Sequence, residues 1–496
     1  MNVKKIPGPA FAWLLFICCC MAQQGHGQVT ATEVAPGVTK ITFGTTDRFT
    51  PYGLYANKPA TRALQELPQA TLPFKTADVH IRATPRGIVV EVPLNDDEHL
   101  YGFGLQVNSS DEKGLKKKPV VNAYPLNNLG YTHAPVPYYV STRGYGILVN
   151  TARYTTFYCG NLSKAGAGTD TPGQPAAGQA ASTTDQLYKN KGTYSKYVTI
   201  DVPQAKGIEV FVFSGPDMRH AVQRYNLFSG GGAMPALWAL GVKYRVKADS
   251  KQTDVYSTAQ YFRDKHIPCD VIGLEPKWQT AAYSCSYVWS PDYFPQPQQL
   301  IDSMNSLHFR LNLWEHAFVS PASPLYEKLL NKSGDYLVWK GLVPDFADTA
   351  ARNIFGGYHE QTFIKEGISG FKLDECDNSD ITRGEVNWSF PEISRFPSGI
   401  DGEKMHQVFG LLYLKSIYDI YKKRNQRVLF DIRSSGAFAA PYAASLYSDT
   451  YDHNAYIRMI GNAGFSGLLW SPEVRESKSV TELMRRSQTA VLSAQT

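Results

Sequence analysis

The chain has 496 residues, 43% hydrophobic and 19% charged, with a formal charge of +6 at pH 7. That composition excludes a disordered chain and gives length enough for two or more domains. The basic run Lys116-Lys117-Lys118 reads as a solvated loop and not as a nucleic-acid surface, and no His or Cys spacing suits a metal.

At the N-terminus, Lys4 and Lys5 precede an apolar run from Phe11 to Ala22 that is too short to span a bilayer. Residues 1–22 therefore read as a signal peptide, with cleavage after Ala22. The expected location is periplasmic or extracellular, and lipid anchoring at Cys18 to Cys20 is the lesser alternative. No other segment reads as a membrane span. Four cysteines then remain, Cys159, Cys269, Cys285 and Cys376, far apart and without CxxC pairing, which argues against both a zinc site and a disulfide framework.

Residues 28–230 read as all-β. Asp78 to Ala83 alternates, a Pro-Arg-Gly turn follows, and Gly87 to Val92 continues; Gly144 to Asn150, Tyr197 to Val202 and Ile208 to Phe213 add further strands. Short strands with turn signals predict a β-sandwich. Ser163 to Asp185, rich in Ala, Gly, Thr, Pro and Gln, is expected to be an exposed loop.

The character changes at Gly230-Gly231-Gly232, and residues 231–496 alternate strands with helices. The expected strands are Leu237 to Val242, Asp270 to Leu274, Arg310 to Trp314, Gly370 to Asp374, Val428 to Ile432, Ala443 to Tyr447 and Phe465 to Trp470. Helices are expected over Thr258 to Lys265, over Gln298 to Leu307, around Met405 to Leu412 and from Thr481. Repeated βα units with polar strand ends predict a (β/α)8 barrel lacking its final strand, an α/β architecture behind the sandwich.

The chemistry sits at those strand ends. Gly370-Phe371-Lys372-Leu373 runs into Asp374, Glu375 and Asp377, three carboxylates that raise one another's pKa unless cations or donors hold them. No phosphate loop and no GxSxG elbow is present. The candidates are Glu275, Glu315, Asp374, Glu375 and Asp449, with Lys372 and Arg433 as cations. Two carboxylates across a cleft with aromatic walls is what glycosidic cleavage needs.

The region 236–496 resembles glycoside hydrolase family 31, retaining α-glycosidases on a (β/α)8 barrel. Gly370-Phe371-Lys372-Leu373-Asp374 is similar to the family's nucleophile strand, which implies Asp374 as nucleophile beside Lys372. Arg433-Ser434 resembles its Arg-Ser pair, an arginine that contacts substrate. Leu446-Tyr447-Ser448-Asp449 stands where the family has Trp-x-Gly-Asp, which implies Asp449 as acid/base, with Asp452 as fallback. Phe294-Pro295 and the Leu313-Trp314 strand also fit, and Trp314 joins the implied sugar-binding set. Tyr101-Gly102-Phe103-Gly104-Leu105-Gln106 resembles the family's sandwich motif, which implies a galactose-mutarotase-like domain over residues 28–230. Glu275 replaces a usual Asp, and its loop carries Cys285 and Trp289, as in the α-galactosidase branch. The resemblance therefore implies an exo-acting retaining α-glycosidase, leaning to α-galactosides, with α-glucosidase or α-xylosidase as alternatives. It implies no cofactor, no nucleic acid and an oligosaccharide or glycoside as partner. The opposing readings are a non-catalytic sugar-binding relative, an inactive fragment, and a transglycosylase using the same residues.

Overall fold

The computed structural model describes residues 28–55, 57–123, 128–163, 193–378, 388–449 and 452–495. The expected signal segment and most of the Ser163 to Asp185 loop lie outside them. Among the described residues, no helix is long and apolar enough to cross a membrane.

The N-terminal half folds as two antiparallel sheets. The first runs in the order Thr30–Ala35, Val38–Gly44, Gly207–Ser214, Tyr145–Val149, Pro135–Ser141, Leu100–Gly104. The second runs His80–Thr84, Gly87–Pro93, Tyr197–Pro203, Thr156–Cys159, Lys116–Lys117. Alternation sets what each buries: in Tyr197–Pro203, Val198, Ile200 and Val202 point inward. They share one apolar core with Val90, Phe157, Ile41, Ile147 and Val210, so the sheets face each other as in a sandwich. The first sheet also buries its other face. Phe211 packs with Phe228 and Phe213 with Tyr225 of the helix Met218–Phe228, and Phe211 meets Phe438 of the C-terminal half at 6.2 Å. One apolar core therefore joins the two halves.

The C-terminal half is a parallel sheet in the order Lys243–Arg245, Val271–Leu274, Arg310–His316, Gly370–Asp374, Phe430–Ile432, Ala444–Leu446. The helices Gln252–Asp264, Pro297–Ser306, Thr349–His359 and Gly402–Lys423 follow the first four strands, and His453–Phe465 follows the sixth. Three of the five start on the short acids that sequence rules favour: Asp348, Asp401 and Asp452 accept from Ala350, Lys404 and Ala455 amides at 2.9, 3.0 and 2.8 Å.

Two expected strands change. Leu237–Ala239 is a single 3-10 turn with Leu237 exposed, and the first strand is the polar Lys243–Arg245. It is polar because it faces carboxylates inside the barrel. Lys243 pairs with Asp431, Arg245 pairs with Glu275 and donates to Asn312 Oδ1 at 2.8 Å, and Asn312 donates to Asp431 at 3.3 Å. Gly273 makes room: a Cβ there would sit 2.4 Å from the Arg245 guanidinium. At the other edge, Phe465 ends a helix, and of the last expected strand Trp470 alone pairs, with Leu446. The six strands described make an open half-barrel.

Candidate active site

Period-two alternation decides which strand residues meet at the barrel mouth. Trp314 pairs in register with Lys372, and His316 with Asp374, so these four share the inner face. The Trp314 indole N–H donates to Asp374 Oδ2 at 2.7 Å, and the Glu375 amide donates to Oδ1 at 2.9 Å. Burial pushes the Asp374 pKa up, but Arg433 and Lys372, with the Tyr447 hydroxyl and the Trp314 indole beside it, outweigh burial and hold the carboxyl at about 2.

Arg433 follows the Phe430–Ile432 strand and reaches two acids. Its Nε donates to Asp377 Oδ2 at 3.1 Å, and its Nη1 lies 2.9 Å from Asp449 Oδ2. Asp449 also lies 3.8 Å from Arg475. Partial burial favours the neutral Asp449 and Arg433 outweighs it, so the carboxyl sits below its ordinary value; the Asp374 charge opposes Arg433. The Tyr447 ring meets both cations, with Lys372 Nζ 4.5 Å and Arg433 Cζ 5.6 Å from its centre. Lys372 Nζ lies 3.9 Å from Glu275 and 3.5 Å from Glu473. Glu275, pushed up by burial but dominated by Arg245 and Lys372, is held below the ordinary carboxylate range.

Glu375 is the opposite case. Burial, then Asp374, then Asp377 push it up to about 9. Its φ of 53° is left-handed, a conformation non-glycine residues hold where the surroundings over-determine it. The exposed Tyr283 donates its hydroxyl to Glu375 Oε1 at 3.4 Å. The Tyr283 ring leans on Trp314 and Trp339 at 5.6 and 5.0 Å, an aromatic wall at the mouth.

The arrangement therefore holds an ionised carboxylate on an indole donor, a second carboxylate on an arginine, and aromatic faces. The profile described as "Glycosyl hydrolases family 31 TIM-barrel domain" matches residues 232–491, more than half of the chain. The chain belongs to glycoside hydrolase family 31. The α-xylosidase XylQ of Lactiplantibacillus pentosus is 21% identical over 363 residues, 68% of this chain and 41% of its own length. An α-xylosidase of Emericella nidulans is 22% identical over 347 residues, 67% of this chain and 39% of its own length. This family 31 chain thus spans about two fifths of the length of these curated relatives. A solved Flavobacterium johnsoniae family 31 dextranase, complexed with glucose, shares the fold with a TM-score of 0.68 at 16% identity, covering 91% of this chain and 59% of that one.

Within this family 31 site, Asp374, Asp449, Arg433, Lys372, Trp314 and Glu275 come together through the contacts above. Cys285 bonds the backbone of His316, next to these residues, and Trp289 is packed among aromatic rings. The buried Cys285 Sγ accepts from Gln279 Nε2 at 3.2 Å and from the His316 amide at 3.4 Å. Trp289 packs on Trp278, Phe294 and Phe363, the last on the outer helical layer. Glu315, a carboxylate candidate, points outward beside Leu373: it bonds His359 Nε2 at 3.0 Å and accepts from the Tyr413 hydroxyl at 2.7 Å, fully buried. Asp452 is engaged as the cap of His453–Phe465. Sequence reasoning passed over Tyr447, Glu473, Arg475, Tyr283 and His133. Tyr447 lay inside a quoted stretch, two residues before an acid; the others come from distant segments, with no local signal.

Proposed function

We propose that this chain carries the site of a retaining, exo-acting α-glycoside hydrolase. The observation that supports this best is the contrast around Asp374: a carboxylate held ionised by Arg433, Lys372 and Trp314, with the Arg433–Asp449 pair beside it. Asp374 attacks the anomeric carbon while the glycosidic C–O bond breaks, and Asp449, having taken a proton from solvent against the pull of Arg433, gives it to the leaving oxygen. The ester that forms removes the negative charge of Asp374. That charge is one of the influences raising the Asp449 pKa, so its loss lowers that pKa, keeps Asp449 as carboxylate once it has given up its proton, and lets it act as base toward water. Water then attacks the anomeric carbon, its proton passes to Asp449, and Asp374 leaves as carboxylate.

For the sugar, the relatives named α-xylosidases favour an α-xyloside, and relatives named α-glucosidases keep an α-glucoside beside it. The α-galactoside reading rests on Glu275, Cys285 and Trp289, and the packing of the last two leaves Glu275 alone to carry it. A second reading of the acid is favoured by one observation: Glu375 is kept protonated through neutral pH.

The test is a panel of 4-nitrophenyl α-glycosides with wild type and Asp374→Ala. Wild type should release product of retained α configuration. Asp374→Ala should be inactive, and azide should partly restore turnover and yield the β-glycosyl azide. Near-normal turnover by Asp374→Ala sinks the proposal.

A further inference from the structure

His133 belongs to the sandwich half, yet its side chain is buried at the barrel mouth. It follows Tyr131–Thr132, which pairs in parallel with Val120–Val121. That ribbon is tied to the barrel helix Gly402–Lys423 through Gln407, which accepts from the Val121 amide at 2.8 Å and donates to the Pro119 carbonyl at 3.0 Å. The imidazole then bridges two barrel loops: Nδ1 lies 2.5 Å from Asp377 Oδ2, and Nε2 lies 3.0 Å from Ser448 Oγ.

Ser448, His133 and Asp377 stand in the order of a hydrolytic triad. All three are at most 2% exposed, so no acyl substrate reaches Ser448 and the chain of contacts is not a second nucleophilic centre. It leads instead toward the carbohydrate site. Asp377 Oδ2 serves both His133 Nδ1 and Arg433 Nε, the latter at 3.1 Å, while Asp377 Oδ1 has no partner among the described residues. Arg433 Nη1 lies 2.9 Å from Asp449, and Ser448 is the residue before Asp449 in sequence. His133 thus touches the acid side from both ends, through Asp377 and Arg433 on one and through Ser448 on the other.

We infer that His133 is a positioning residue by which the sandwich domain sets the Arg433–Asp449 side of the active site. A carboxylate accepts, so Nδ1 donates to Asp377 and fixes which oxygen is turned to Arg433. Without that donor, Asp377 is free to turn from Arg433, and the guanidinium loses its fixed place beside Asp449. The inference rests on Asp449 and Arg433 acting as proposed above.

The two ring nitrogens can be replaced one at a time. In His133→Asn the amide nitrogen falls near the place of Nδ1 and keeps the Asp377 contact. In His133→Gln it falls near the place of Nε2 and keeps the Ser448 contact. On a methyl α-glycoside of the sugar that wild type cleaves fastest, His133→Gln should lower kcat about a hundredfold with little change in KM. The loss should be much smaller on the 4-nitrophenyl glycoside, which needs little protonation. His133→Asn should recover most of the kcat. Asp377→Asn, which weakens the hold on Arg433 without touching the sandwich, should reproduce the loss even where a His133 variant fails to fold. Gln performing as well as Asn, or full kcat in Asp377→Asn, overturns the inference while an active wild type keeps the glycosidase reading. A wild type that cleaves no α-glycoside removes both.

Discussion

Asp374 and Glu375 are neighbours in sequence and opposites in ionisation: the first is held at about 2 and the second is pushed to about 9. The same strand end supplies both, so the difference comes from what each faces. Asp374 turns to the Trp314 indole and the Arg433 and Lys372 cations, whereas Glu375 turns to the Tyr283 hydroxyl with two carboxylates behind it. Each ionised acid makes the other's ionisation harder, so the pair shares its titration.

The pair has a stability signature with a definite sign. A carboxyl whose folded pKa is raised stabilises the fold below its unfolded value, near 4.3, and that contribution is lost as pH rises toward the folded value. For Glu375 the window runs from there up to about 9. Glu375→Gln keeps the shape and cannot ionise. Its melting temperature should therefore match wild type near pH 4 and exceed it by at least about 3 °C at pH 8.5. Equal differences at both pH values would mean that Glu375 titrates normally.

The acid assignment is decided by leaving groups. Asp449→Asn should slow methyl or disaccharide substrates roughly 10²–10⁴-fold while activated aryl glycosides lose little. Glu375→Gln should leave that dependence unchanged. If Glu375→Gln instead singles out the poor leaving groups, Glu375 is the acid and Asp449 serves to hold Arg433.

The Gly370–Asp374 strand was legible because a parallel strand covered on both faces reads as a mainly apolar run ending in polar groups. The same coverage hides which face is which. Trp314 and Glu315 look equally good in sequence, and only the register against Lys372 and Leu373 sends one into the site and the other into the helices. Lys243–Arg245 was illegible as a strand because its side chains answer to Glu275 and Asp431, far along the chain. His133 and Asp377 meet across 244 positions, a contact that no local pattern announces.

Glu315 gives a stability prediction. It is a fully buried acid whose partners are His359 and Tyr413. Removing one member of such a set leaves the others desolvated and unpaired. Glu315→Ala should cost about 3 kcal/mol in urea unfolding, while KM of the folded fraction stays as in wild type. A large KM change with little loss of stability would bring Glu315 into the site after all.

The sugar preference turns on Glu275 more than on its loop. Glu275 is gripped by Arg245 and lies 3.9 Å from Lys372, whose ammonium sits on the Tyr447 ring beside Asp374. A polar group held there is in place to bond a sugar hydroxyl, and a site built to bond one epimer leaves its own groups unpaired with the other. Trp289 and Cys285 are spent on packing against Phe363 and on hydrogen bonds to Gln279 and His316. Trp289→Phe and Cys285→Ser should therefore lower the melting temperature and leave the ratio of kcat/KM for α-glucoside, α-xyloside and α-galactoside within about threefold of wild type. Glu275→Asp, which withdraws the carboxylate by one methylene, should move that ratio by more than about tenfold. Wild type should prefer the α-xyloside or α-glucoside. Preference for the α-galactoside, narrowed by Trp289→Phe or Cys285→Ser, would show instead that the loop reads the axial 4-hydroxyl.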